Sequence, residues 1–187
     1  MRIISGKMKG SLLFMPPNKN TRPLKDIARE SIFNLLIHSN KISFQIEKSN
    51  ILDLYAGIGS FGLECLSRDA KNVSFVESKK EVIKVLEKNI AKLKLSKKTK
   101  IYCSDVLNFV KKKINFTFDL IFCDPPFINK DIENIIKFIY INKLLKKNGI
   151  LIIHRNKNSK DKMPLYFNII DERTYGISKI IYGNFLT

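Results

Sequence analysis

From residue 50 onward, short runs of β-branched, aromatic and other apolar residues alternate with stretches whose apolar positions recur at helical spacing. The runs are short enough for strands buried on both faces, and the stretches between them are long enough for crossover helices, so the pattern predicts βαβ units around a parallel sheet. Strands are expected at residues 51–55, 73–77, 99–103, 118–123 and 149–154. Helices are expected at about 60–68, 79–94, 106–112 and 131–140, the second with Val82, Val85, Leu86, Ile90 and Leu93 on one face as core.

After His154 the pattern changes to a polar lysine loop and then to two β-rich stretches, 165–171 and 177–186, separated by Thr174-Tyr175-Gly176. Strands joined so closely pair antiparallel, so a hairpin should close the sheet. The first fifty residues differ again. Residues 2–15 suit a small hairpin around Gly6 and Gly10, and 26–36 suit an amphipathic helix built on Ile27, Ser31, Phe33, Asn34 and Ile37. The chain thus divides into an N-terminal extension, 1–49, and a sheet domain, 50–187.

Composition narrows the classes. The chain has 187 residues, 44% hydrophobic and 27% charged, which suits one compact domain with a short appendage. The longest apolar runs, 120–123 and 150–153, are far too short to cross a bilayer, and the basic opening lacks a signal peptide's apolar stretch, so a cytoplasmic protein without membrane contact is expected. Cys65, Cys103 and Cys123 are widely spaced and form no CxxC pair, which suggests neither disulfides nor a zinc site; no metal is expected. A monomer is the expected state.

A formal net charge of +17 points to a polyanionic partner, nucleic acid above all, although lysine drift in an A/T-rich coding sequence would also raise it. Arg2, Arg22 and Arg29 stand out because the forked guanidinium holds phosphate in a way that a point-charge lysine does not. The lysine clusters at 97–100, 111–113 and 157–162 read as solvated loops.

Asp53-Leu-Tyr55-Ala-Gly57-Ile-Gly59-Ser-Phe-Gly62 leaves the first strand and opens a helix, a place where glycines let the backbone turn tightly against a nucleotide-like ligand. An acidic residue there repels phosphate but suits an ammonium, which favours S-adenosylmethionine over a dinucleotide; Asp53 could instead cap the loop amides. Glu77 ends the second strand, where a carboxylate accepts ribose hydroxyls. Asp105, in Cys-Ser-Asp-Val106, suits either an adenine amino group or a helix N-cap.

The strongest motif is Asp124-Pro125-Pro126-Phe127, directly after the apolar strand at 118–123. Two prolines stiffen the backbone and remove donors, Asp124 adds a carboxylate, and Phe127 adds a flat ring on which a base can stack. An exocyclic amine on a heteroaromatic ring is a poor nucleophile because its lone pair is delocalised. Acceptors at Asp124 Oδ and the Pro125 carbonyl would hold both N–H groups and favour a pyramidal nitrogen aimed at a sulfonium methyl. Catalysis would then rest on positioning and electrostatics.

With these residues in place the chain resembles the RsmD-type methyltransferases. The likeness runs through Arg2-Ile-Ile-Ser-Gly6-Lys-Met-Lys-Gly10, Thr21-Arg22-Pro23, Asp26, Arg29-Glu30-Ser-Ile-Phe33-Asn34, the glycine loop to Glu64-Cys-Leu-Ser67-Arg68, Glu77, Asp124 to Phe127, and Tyr175-Gly176. It implies a class I, Rossmann-like α/β sheet, mostly parallel with a C-terminal antiparallel hairpin. It also implies methylation of a guanine N2 amine in small-subunit rRNA, free or in an assembling ribosomal subunit. Asp53, Tyr55, Gly57, Gly59, Glu77, Ser78, Asp105, Val106 and Asp124 would then bind S-adenosylmethionine, and Arg2, Arg22, Arg29 and Phe127 the RNA.

The chain departs from that family pattern at Leu24, Ile27, Asp69 and His154, the last near a position that is usually acidic. Arg22 suits a phosphate clamp or a lock on Asp26 or Glu30, and Tyr175 suits substrate contact or packing under the hairpin. His38 and His154 read as surface and strand-end residues.

Overall fold

The computed structural model describes residues 1–17 and 26–186. Its sheet is built from β1 (Asn50–Leu54), β2 (Asn72–Glu77), β3 (Thr99–Cys103), β4 (Phe118–Cys123), β5 (Leu145–Asn156), β6 (Phe167–Tyr175) and β7 (Ser178–Phe185). The helices are α1 (Asp26–His38), α2 (Ser60–Ser67), α3 (Lys80–Lys92), α4 (Val106–Lys111) and α5 (Ile132–Ile141). The expected alternation is present throughout, with boundaries shifted by a few residues.

The strand order is β3-β2-β1-β4-β5-β7-β6. β1 pairs in parallel with β2 on one side and β4 on the other, so the winding reverses beside β1. Such a switch point leaves a crevice at the carboxyl ends of the strands, where ligands of open α/β sheets bind. β7 runs antiparallel between β5 and β6, joined to β6 through Gly176 at positive φ. The result is an α/β sheet of the class I methyltransferase kind, mostly parallel with a C-terminal hairpin.

The pleat explains why the central strands are apolar on both faces. Ile51, Phe75, Phe122, Ile152 and Ile180 point to the side covered by α1, α2, α3 and the N-terminal segment. Leu52, Leu54, Val76, Ile121, Leu151 and Ile181 point to the side covered by α4 and α5. On the first side Phe33, Phe61 and Phe122 stack in sequence, with ring centroids 5.2 and 3.9 Å apart, tying α1 to α2 and β4.

α1 corrects the expected helix face. Ala28, Arg29, Ile32, Phe33 and Leu36 are buried, whereas Ile27 is 72% and Ile37 52% exposed. The helix carries apolar residues around much of its circumference, so periodicity could not pick the inward stripe; contact with Phe61 and the N-terminal segment picks it.

Residues 2–13 do fold back on themselves: Arg2 bridges to Leu12, and Ile3 exchanges backbone bonds with Ser11 and Gly10. This turn docks onto α2. The buried Glu64 carboxylate accepts the amides of Ile4 and Ser5 at 2.7 and 2.9 Å and the Arg68 Nε–H at 3.0 Å. Ser67 Oγ donates to the Ser5 carbonyl and accepts from the Met8 amide. A Cβ at Gly6 would run into the Ser67 carbonyl oxygen, so the chain can pass this close only as glycine. Asn89 of α3, lying among its apolar positions, accepts the Phe14 amide and donates to the Phe14 and Ile58 carbonyls.

Candidate active site

The glycine loop leaves β1 through three left-handed residues: Tyr55 at φ 60, Gly57 at φ 56 and Gly59 at φ 83. Gly59 is the N-cap position of α2. Tyr55 is a bulky residue in a conformation that costs free energy and persists only where surroundings hold it, a pattern concentrated at functional sites. Its hydroxyl accepts from Asn129 Nδ2 at 3.2 Å, so the β1 exit is fastened to the loop after β4. Burial pushes the Tyr55 hydroxyl far above its ordinary value, and the nearby Asp105 and Asp131 carboxylates add to the shift. A Cβ on Gly57 would meet nothing within 4 Å, so this turn presents bare backbone to open space.

Asp53 is buried in β1, and its Oδ2 accepts the Gly62 amide at 2.9 Å. Burial raises its carboxyl well above the carboxylate range; the Gly62 bond opposes this, while Asp124 and Glu77 add to it. Three carboxylates, from the ends of β1, β2 and β4, therefore interact at one place. Glu77 Oε2 accepts the Gly57 amide at 2.9 Å, and its Oε1 accepts the amides of Ser78 and Lys79 at 2.8 and 2.9 Å. A carboxylate has about four acceptor sites, so Glu77 shapes the loop and keeps capacity for a further donor.

Asp105 is the N-cap of α4: its Oδ1 accepts the Asn108 amide at 3.0 Å. Val106 is buried in the core under α4, so what it can offer a ligand is its backbone. Ser78 is exposed beside Glu77.

Across the switch point, Asp124 donates its amide to the Leu54 carbonyl at 3.3 Å, which sets the acceptor motif directly beside the β1 exit. Asp124 Oδ1 lies 2.7 Å from Nδ1 of His154, which is buried at the end of β5. The Phe127 ring packs edge-on against the same imidazole, with centroids 5.4 Å apart at 76°. The following residue, Arg155, is also buried: it donates to the Pro126 and Asn129 carbonyls and to both oxygens of Asp161. The end of β5 thus holds the Asp124 loop at several points.

Sequence reasoning left His154 as a strand end and the 157–162 stretch as a solvated lysine loop. Both hold: His154 stands near the end of β5, and Lys157, Lys160 and Lys162 are exposed in a loop. The structure adds that His154 is buried against Asp124 and that Asp161 within the loop pairs with Arg155. Nothing local marked the contacts of His154 and Arg155 with the acceptor loop, because Asp124 and Pro126 lie 30 and 29 residues back along the chain.

The proposed phosphate contact at Arg29 is also corrected. Its side chain is fully buried and donates to the Arg2 carbonyl at 2.5 Å and the Ser60 carbonyl at 3.5 Å, so it joins the N-terminal segment to the start of α2. Arg2 itself is exposed. Arg22, with the Thr21-Arg22-Pro23 motif, lies outside the described residues. Tyr175 packs against the core and also lines a cleft of about 650 Å³ with Asn34, His38, Lys41 and Arg173. Among the described residues no His, Cys, Asp or Glu group is placed to hold a metal, and no helix is long and apolar enough to cross a membrane.

An acidic crevice beside exposed backbone favours a cationic ligand over a phosphate-bearing one, and a stiffened acceptor loop with an aromatic ring favours an amine on a planar base. The chain matches the family model described as conserved hypothetical protein 95 over residues 1–184. It is 35% identical to ribosomal RNA small subunit methyltransferase D of Haemophilus influenzae, over 98% of this chain and 94% of that one. A solved Escherichia coli chain provisionally described as a methyltransferase superposes with a TM-score of 0.84 at 28% identity, covering 98% of this chain and 96% of that one. A solved Haemophilus influenzae chain provisionally described as a methylase gives 0.80 at 34% identity, with 99% and 98% coverage.

Proposed function

The chain belongs to the RsmD-type family of methyltransferases, and on that premise we propose that it transfers a methyl group from S-adenosylmethionine to the N2 amine of a guanine in small-subunit rRNA. The observation that carries this reading is the backbone bond from Asp124 to Leu54, which sets the amine-accepting motif against the strand that bears Asp53 and the glycine loop.

The cofactor, when bound, supplies an electrophilic methyl on a sulfonium. The crevice suits it: Asp53, Glu77 and Asp124 supply negative charge, and the open face of Gly57 leaves room for close approach. Asp53 takes the ammonium directly or through water. The remaining acceptor capacity of Glu77 takes a ribose hydroxyl, and Asp105 with the Val106 backbone takes the adenine edge.

On the other side, Phe127 stacks on the guanine, while Asp124 and the Pro125 carbonyl accept the two N2 hydrogens. Pulling both hydrogens to one side localises the nitrogen lone pair and turns it toward the methyl, so the rate gain comes from alignment and fixed dipoles. Pro125 and Pro126 keep that loop stiff. The described part of the N-terminal extension, residues 1–17 and 26–49, lies on the cofactor side of the fold's covering layer and contributes Arg2 to the RNA surface.

The test is transfer of a labelled methyl to small-subunit particles from a strain lacking the enzyme, with the modified nucleotide mapped by mass spectrometry. Label on one guanine N2, lost in Asp124→Ala, supports the proposal. Label on another atom overturns the guanine assignment, and equal labelling of duplex DNA overturns the RNA assignment.

A further inference from the structure

We infer that His154 is a positioning residue for methyl transfer, acting through Asp124 and Phe127; the inference rests on the reading of Asp124 as the amine acceptor. Its Nδ1 lies 2.7 Å from Asp124 Oδ1, and its ring edge supports the Phe127 ring. One side chain therefore touches both halves of the amine-receiving site: the oxygen-bearing group and the stacking surface.

The hydrogen bond has a definite sense. An ionised carboxylate only accepts, so the proton lies on Nδ1. Nε2 is buried with no hydrogen-bond partner among the described residues, so a proton there would go unpaired. With Oδ1 engaged, Asp124 cannot swing freely, and Oδ2 remains for the amine. The rigidity comes from the sheet: Ile153 is in register with Cys123, and His154 with Ile180 of β7, so the imidazole is carried by a strand paired on both sides. A surface histidine would leave the carboxylate free to rotate, and alignment errors of about 1 Å cost up to roughly a hundredfold in rate.

The amide of asparagine can place its donor near the Nδ1 position, whereas glutamine carries it further out, near Nε2. His154→Gln is expected to lower kcat by roughly 10- to 100-fold with a much smaller change in the KM for S-adenosylmethionine, since Asp53, Glu77 and Asp105 hold that group without contact to His154. His154→Asn should recover most of the loss. In an Asp124→Asn background His154→Gln should add little, because a residue that acts through Asp124 has nothing left to orient.

Equal kcat for wild type, His154→Gln and His154→Asn would overturn the inference, as would fully multiplicative losses with Asp124→Asn. Imidazole nitrogen NMR supplies a readout independent of turnover: the Nδ1–H tautomer is expected in the wild type and a shifted Nδ1 signal in Asp124→Asn, and an Nε2–H tautomer overturns the inference. If the wild type methylates no rRNA while the NMR signature holds, the substrate reading fails and the His154–Asp124 bond stands.

Discussion

Arg155 donates through Nε and Nη2 to the two oxygens of Asp161 at 2.8 and 2.9 Å, and the same buried guanidinium reaches the Pro126 and Asn129 carbonyls of the acceptor loop. The pair joins the β5–β6 connection to the loop that carries Asp124 and Phe127. Its geometry is bidentate, so a lysine at position 155 cannot reproduce it.

Asp161→Ala strands that guanidinium. Removing one partner of a buried, hydrogen-bonded ion pair typically costs about 3–5 kcal/mol. Urea denaturation should show a loss of this order, and amide exchange should rise across residues 127–130 before it rises in β1 or β4. An unchanged midpoint would mean that the pair does not hold the loop.

Cofactor affinity should depend on pH through Asp53. Because burial raises its carboxyl in the folded protein, the fold keeps this proton to higher pH than the unfolded chain, whose aspartates titrate near about 3.9. The stability contributed by this group is present below that value and is lost as pH rises through the raised folded value. A cationic ligand favours the ionised form, so S-adenosylmethionine should bind more tightly as pH rises through the same window, with proton release. Calorimetry in buffers of different ionisation enthalpy measures that release; proton uptake would sink the idea. Asp53→Asn should flatten the dependence, weaken cofactor binding, and raise the melting temperature of the free protein at neutral pH.

Gly6 and Gly57 should separate folding from binding. At Gly6 an added Cβ meets the Ser67 backbone, so Gly6→Ala should undock residues 1–15, seen as early proteolysis there and a lower melting temperature. At Gly57 the added Cβ meets no protein atom, so Gly57→Ala should cost only the left-handed conformation, roughly 1–2 kcal/mol. Its main effect should be at least tenfold weaker S-adenosylmethionine binding by calorimetry. Full affinity in Gly57→Ala would place the cofactor away from this turn.

The two blocks Arg2 to Gly10 and Glu64 to Arg68 that carry the family likeness could be picked out along the chain, yet their relation could not. They are the two sides of one joint, in which Glu64 and Ser67 satisfy the backbone of Ile4, Ser5 and Met8. Arg29 shows the same limit from the opposite direction. An arginine near a basic N-terminus suits a phosphate, and only the burial of its guanidinium against the Arg2 and Ser60 carbonyls assigns it to the interior.

By itself the sequence determined the strand and helix succession, the closing hairpin, the glycine turn and the acceptor motif, because each depends on residues near one another: apolar period, glycine and proline geometry, and a strand's length. Tertiary structure alone decided which face of α1 turns inward, that Asp105 caps α4, and that His154 and Arg155 steady Asp124 and its loop. Those outcomes depend on groups brought together by strand order. A hydrogen bond across the sheet leaves no periodic trace in the chain that makes it.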